Sequence, residues 1–341
     1  MGAIIAIAVG LAMAMAVAEV GLRIAMPEWR EFNSLNFFKR ITTANHVTYS
    51  IGKPGFEGYF AQNNGDFRHH IKINDFGLRN DEPVTAAQNR LWVIGDSMAF
   101  GWGVERHETY TAVIARLSGQ PTYSVAGPGN DVCGYQALIG RMPDGIRPRA
   151  AIVGLILEND VREYDCRAKA ASSVRTENSN SVSFFNLGRF KKTLNTYSAA
   201  YNVLAASLKR VPLINQLLMS LGVVSEQHVI RFALDSAGIS QHVEKTVEAV
   251  AELQTMLPPE IPFAVLLAPA RFEIRDNHPF YAEVRQKLTA SLSARSIPVI
   301  DPYAAFREMG FEAVHFQHDG HWTAAGHRAA GAAAAKWLES Q

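Results

Sequence analysis

Ser97 closes the stretch Gly95-Asp96-Ser97, directly after the apolar run Leu91-Trp92-Val93-Ile94. The pattern reads as a buried strand that delivers a hydroxyl into a tight turn at its carboxyl end, where open α/β sheets place their chemistry. A serine hydroxyl is a poor nucleophile near neutral pH and needs an adjacent base, for which a neutral imidazole is suited. That imidazole in turn needs a carboxylate to fix its tautomer and to stabilise the imidazolium formed during attack. His321 and Asp319, in Asp319-Gly320-His321-Trp322, supply such a pair just before the last helical run. Asn159 closes a second apolar run, Ala151–Leu157, and Gly129 follows the short strand-like stretch Thr122–Val125. Ser97 is therefore assigned as nucleophile, His321 as general base and Asp319 as its orienting acid. The Ser97 and Gly129 backbone N–H groups and the Asn159 side-chain amide form the expected oxyanion hole, each donor worth about 3–4 kcal/mol to the transition state.

The ordered set of motifs resembles the SGNH (GDSL-like) hydrolase superfamily over roughly residues 73 to 339, interrupted by one long insertion. The likeness includes the lead-in Ile73-Asn74-Asp75-Phe76-Gly77-Leu78-Arg79 and the continuation Phe100-Gly101-Trp102-Gly103-Val104. Members of that superfamily are esterases, lipases, carbohydrate deacetylases and some polysaccharide O-acetyltransferases. The resemblance implies a flavodoxin-like sheet of five parallel strands and an enzyme acting on acyl esters, with a glycan as the expected substrate. Where much of the superfamily has Asp-x-x-His, this chain has Asp-x-His, and Asp319-Gly320-His321-Trp322 looks more like the terminal signature of the alginate O-acetyltransferase branch. Hydrolysis by a serine acyl-enzyme is the leading reading; transfer by the same triad, or a non-catalytic glycan-binding protein on the same scaffold, are the alternatives.

Each assignment has a plainer competitor. A serine at a strand–helix junction is often only a helix cap. His318 lies three residues before His321 and is the rival base, while His327 falls in an Ala-rich helical run and reads as a packing residue. Gly127 and Gly129 bracket Pro128, and register with the family pattern favours Gly129; Ser124 then stands where an Asn is common. Asp96 and Asp160 read as carboxylates that bind loop backbone. Trp102 and Trp322 are expected to line the substrate site, against ordinary packing as the alternative.

The elements that must position these residues follow from alternating patterns. Strand-like runs recur at Leu91–Ile94, Tyr123–Val125, Ala151–Leu157, Phe263–Leu267 and Pro298–Ile300. Helical spacing falls at Tyr110–Leu117, Gly129–Gly140, Ile239–Leu253 and Thr323–Leu338. Alternation of this kind predicts an α/β fold with a doubly wound, mainly parallel five-stranded sheet. Residues 26–89 form an aromatic lead-in without clear period, and residues 90–341 form the catalytic domain. An insertion at about 162–234 opens with a polar stretch, Ala170–Ser183, read as a loop. It continues with apolar residues at helical intervals, among them Phe185, Phe190, Leu194, Tyr197, Tyr201 and Leu208, which suit a cap, a membrane-resting face or added packing.

Residues 1–25 are read as a transmembrane anchor or signal segment, since Gly2–Ala18 carries no charge and about 20 apolar residues span a bilayer. Ala16-Val17-Ala18 resembles a signal cleavage site. The domain is placed outside the cytoplasm, although Arg23 argues for the opposite orientation. With 33 basic and 32 acidic residues the chain has a formal net charge of +1, which argues against nucleic acid as a partner. The expected partners are an acylated small molecule or glycan, and a membrane. The two cysteines, Cys133 and Cys166, could pair in an exported protein or remain free thiols. No metal-ligand spacing is visible and no cofactor is implied.

Overall fold

A computed structural model describes residues 2–43, 47–62, 65–166, 193–194, 196–208 and 234–341. The expected loop at 170–183 lies outside the described residues. The chain divides into two compact units.

The first unit comprises residues 1–36, 59–68 and 180–227. It opens with helix α1 (Gly2–Ala25), in which Ile5–Ala25 has a mean hydropathy of 2.2 and no residue buried within the protein. By length and composition this helix can cross a membrane. Its two charged residues have a local use. Glu19 accepts hydrogen bonds from Ser198 Oγ at 2.8 Å and from the Ala199 and Ala200 N–H groups, both at 2.9 Å, and so caps a second helix at Ala199–Leu208. Arg23 pairs with Glu19 at 2.7 Å and donates to the Tyr197 carbonyl at 2.6 Å.

The second unit comprises residues 37–58, 69–179 and 228–341. The lead-in expected at 26–89 is thus shared between the units, and it holds four short strands that its sequence does not announce. They are β1 (Phe38–Thr42), β2 (Thr48–Gly52), β3 (Glu57–Ala61) and β4 (Arg68–Lys72). β1 pairs antiparallel with β2, from Phe38 opposite Gly52 to Thr42 opposite Thr48.

The core sheet has five parallel strands: β5 (Leu91–Gly95), β6 (Thr122–Ala126), β7 (Ala150–Ile156), β8 (Phe263–Ala268) and β9 (Val299–Ile300). Their order, β6-β5-β7-β8-β9, is the flavodoxin-like order, with the switch point between β5 and β7. Every residue of β5, β7 and β8 is buried, as expected of a sheet covered on both faces. Among the covering helices are Tyr110–Ser118, Val132–Arg141, Ser236–Thr255, Pro279–Ala294 and Ala324–Glu339. The fold class expected from the alternation of elements is therefore present: an α/β, doubly wound parallel sheet. A disulfide joins Cys133 to Cys166, with Cα atoms 5.2 Å apart, and ties the helix after β6 to the segment after β7.

Candidate active site

Ser97 leaves β5 as the first residue of a four-residue helix, Ser97–Phe100. The cap of that helix is Asp96, whose side chain accepts from Met98 N–H at 2.9 Å, so the serine hydroxyl is not spent on capping. Ser97 Oγ instead meets His321 Nε2 at 2.8 Å. His321 Nδ1 hydrogen-bonds Asp319, which also accepts from the His321 backbone N–H at 3.0 Å. A carboxylate can only accept from Nδ1–H, so Nε2 is left to accept from the serine hydroxyl. Burial pushes the Asp319 carboxyl up, but the His321 charge and two hydrogen bonds from His321 hold it down at about 2.

The turn that carries this pair is fixed by its own backbone. His315 and Trp322 form an antiparallel bridge, and Phe316 N–H donates to the His321 carbonyl at 3.0 Å. His318 is exposed on the same turn, and His321 is the histidine brought to Ser97. His327 is buried in the last helix, where its Nδ1 accepts from the Tyr110 N–H at 3.2 Å.

The two tryptophans expected at the substrate site are placed differently. Trp102 stacks on His321, with ring centroids 5.3 Å apart and 24° between planes, and rests on Phe37 at 5.8 Å. Trp322 is fully buried among Phe306, Tyr110 and His327, so it offers no surface to a ligand. Adjacent residues of extended backbone face opposite sides; His321 faces Ser97 and Trp322 faces the core.

Gly129 and Asn159 follow β6 and β7 at the same carboxyl edge of the sheet. Gly129 is exposed, has φ +75°, and its N–H makes no hydrogen bond among the described residues. Gly127 is buried and its N–H donates to the Gly95 carbonyl at 3.2 Å, so it has no donor to spare. Asn130 braces this turn, accepting from Ser50 N–H at 2.6 Å and donating to the Ser50 carbonyl at 3.0 Å. The Asn159 side-chain amide is likewise without a hydrogen bond among the described residues, while its backbone N–H donates to the Ile156 carbonyl at 3.0 Å. Asp160 holds that turn from beneath, accepting from Ile156 N–H at 2.9 Å and Tyr135 Oη at 3.0 Å. Burial pushes the Asp160 carboxyl well up from its ordinary value, and it pushes the neighbouring Asp96 up too, with Asp160 adding to the effect.

Three supporting residues carried no role in the sequence reading. Arg79 is buried and donates to the carbonyls of Phe100 (3.2 Å), Gly101 (2.5 Å), His70 (2.9 Å) and Val104 (2.9 Å). It therefore fixes the loop that carries Trp102. Its signal was present in the lead-in Ile73–Arg79, without a partner to explain it. Glu158 and Arg271 form an ion pair at 3.0 Å beside the site. Both stand just beyond carboxyl ends of buried strands, which is the signal that could have found them. Among the described residues no group of three or more His, Cys, Asp and Glu is placed to hold a metal ion. A cavity of about 540 Å³ lined by Met142, Arg147, Met256 and Glu260, among others, lies at the amino-terminal edge of the sheet, away from Ser97.

No family model matches the sequence, and no curated protein matches it. Among solved structures the chain is similar to a lipase/acylhydrolase from Enterococcus faecalis, at 10% identity and a TM-score of 0.42, covering 74% of this chain and 96% of that one. It is also similar to a member of the lipolytic G-D-S-L family from Veillonella parvula, at 11% identity, a TM-score of 0.40, and coverage of 74% and 99%. An acetylxylan esterase from Geobacillus stearothermophilus aligns at 14% identity and a TM-score of 0.40, covering 73% and 93%.

Proposed function

We propose that this chain is a serine-type acyl-ester hydrolase, with Ser97, His321 and Asp319 as its triad and an acyl-enzyme on Ser97. The observation that carries the reading is the 2.8 Å contact between Ser97 Oγ and His321 Nε2, with Nδ1 of the same ring on Asp319. Ser97 gives its proton to Nε2 as Oγ attacks the acyl carbonyl carbon, and the carbonyl π pair moves onto oxygen. The Ser97 and Gly129 N–H groups and the Asn159 amide are the donors proposed for that oxyanion. Collapse expels the alcohol, which takes the proton from Nε2. Water repeats the sequence: it loses a proton to Nε2, attacks the acyl carbon and releases the acid, and Ser97 recovers its proton.

The substrate class we favour is an O-acylated glycan, on the motif resemblance to the SGNH superfamily. Transfer of the acyl group to a sugar hydroxyl uses the same triad with an alcohol in place of water. Trp322 is buried, so the tryptophan of the Asp-x-His-Trp signature lends transfer no support through acceptor contact. We further propose that α1 anchors the chain in a membrane with the triad outside the cytoplasm. The Cys133–Cys166 disulfide fits an oxidising compartment.

The test is turnover of p-nitrophenyl acetate together with labelling by a fluorophosphonate probe. Labelling and turnover that are lost in Ser97→Ala support the reading. A folded wild-type protein that neither labels nor turns over points to a non-catalytic binding protein.

A further inference from the structure

We infer that Arg271 is a positioning residue that ties the turn bearing Asn159 to the turn bearing His321, through an ion pair with Glu158; this rests on the acyl-enzyme reading above. Arg271 begins the short helix Arg271–Asp276 after β8. Glu158, next to Asn159 in the chain, takes both of its contacts from Arg271: Oε1 accepts the backbone N–H at 2.5 Å, and Oε2 lies 3.0 Å from Nε. A carboxylate so held cannot swing without dragging the Asn159 turn.

The other side of the guanidinium presses on the catalytic turn. A Cβ built on Gly320, between Asp319 and His321, falls 2.5 Å from Arg271 Nη1. Glycine at that position is what lets the guanidinium lie against the Asp-x-His turn. The ring of Phe272 backs the cation at 4.8 Å.

The pair also balances charge near the base. Burial pushes the Glu158 carboxyl up, and the Arg271 and His321 charges work against that. A lone cation beside His321 opposes the imidazolium formed during attack; Glu158 offsets it. The clamp thus supplies position while adding little net field.

The experiment measures kcat and KM for p-nitrophenyl acetate, and melting temperature, for R271Q, E158Q, the double variant and G320A in the full chain. We expect kcat to fall about 10- to 100-fold in each single variant, the scale of an ångström-sized misplacement, with KM within about twofold. The double variant should be no worse than the poorer single one, because both replacements break one connection. G320A, which only pushes the guanidinium away, should lower kcat in the wild-type background and change little on top of R271Q.

Wild-type kcat in folded R271Q overturns the inference even if the melting temperature drops, since the pair is then structural. A raised KM with unchanged kcat also overturns it, because Arg271 would then contact substrate. If R271Q fails to fold, G320A decides: lowered kcat at constant KM supports the clamp, and wild-type kcat rejects it. Ser97-dependent fluorophosphonate labelling of the wild type separates the two failures. Without it the enzyme reading falls; with it, and with equal labelling rates in R271Q, only the clamp falls.

Discussion

Trp102 lies flat against His321, with 5.3 Å between ring centroids and 24° between planes. One side chain therefore fixes the plane of the imidazole. Trp102→Phe keeps a smaller stacking face, whereas Trp102→Ala loses it. We expect kcat to fall in the order wild type, Phe, Ala, by about tenfold or more at Ala, with little change in KM. Steady-state kinetics check this; a raised KM at unchanged kcat would show substrate contact instead.

Arg79 holds four backbone carbonyls from the protein interior. Truncation to Ala removes this donor from all four, at a cost of about 1–3 kcal/mol for each buried group left without another donor. Arg79→Ala is expected to destabilise the protein by about 3 kcal/mol or more, read by urea unfolding. Arg79→Lys, with no planar fork, should recover only part of the loss. Wild-type stability in either variant would show that the loop is held by something else.

Asp160 gives the protein a pH-dependent stability of defined sign. Its folded carboxyl sits above the unfolded value of about 3.9 because burial disfavours the charge. Between those two values the native state holds a proton that the unfolded chain has lost, so stability falls as pH rises through the window. Below the unfolded value the contribution is fully present. Asp160→Asn cannot titrate and should flatten this fall, as measured by denaturant midpoints from about pH 4 to 8. An unchanged pH slope in the variant would refute the assignment. Asp319 acts in the opposite sense: its contribution is present above the unfolded carboxylate value and is lost as pH drops towards about 2.

Four of the core strands were legible as apolar runs bounded by turn residues, the signature of a sheet buried on both faces, while β6, Thr-Tyr-Ser-Val-Ala, was legible from its β-branched and aromatic residues. The lead-in strands were not. β1 is Phe-Lys-Arg-Ile-Thr and mostly exposed, while β2 buries Tyr49 and Ser50 side by side, so neither shows a two-residue alternation. Ser97, His321 and Asp319 were singled out by residue type and position at segment ends, and the fold brings the three side chains together. Trp322 was misleading because adjacency to His321 in sequence suggested a shared face, and the extended backbone at the His315–Trp322 bridge turns it inward. Arg79, Glu158 and Arg271 act through contacts with residues far along the chain, which no local spacing reveals. The disulfide was open for the same reason, as its cysteines are 33 residues apart.

The most direct measurement compares kcat/KM for p-nitrophenyl acetate in Ser97→Ala, His321→Ala and the double variant with the wild type. If the hydroxyl and imidazole act as one unit, each single change should cost about 10⁴-fold or more, and the double change should cost no more than the worse single one. Losses that multiply, or turnover that survives Ser97→Ala, would contradict a shared nucleophile and base.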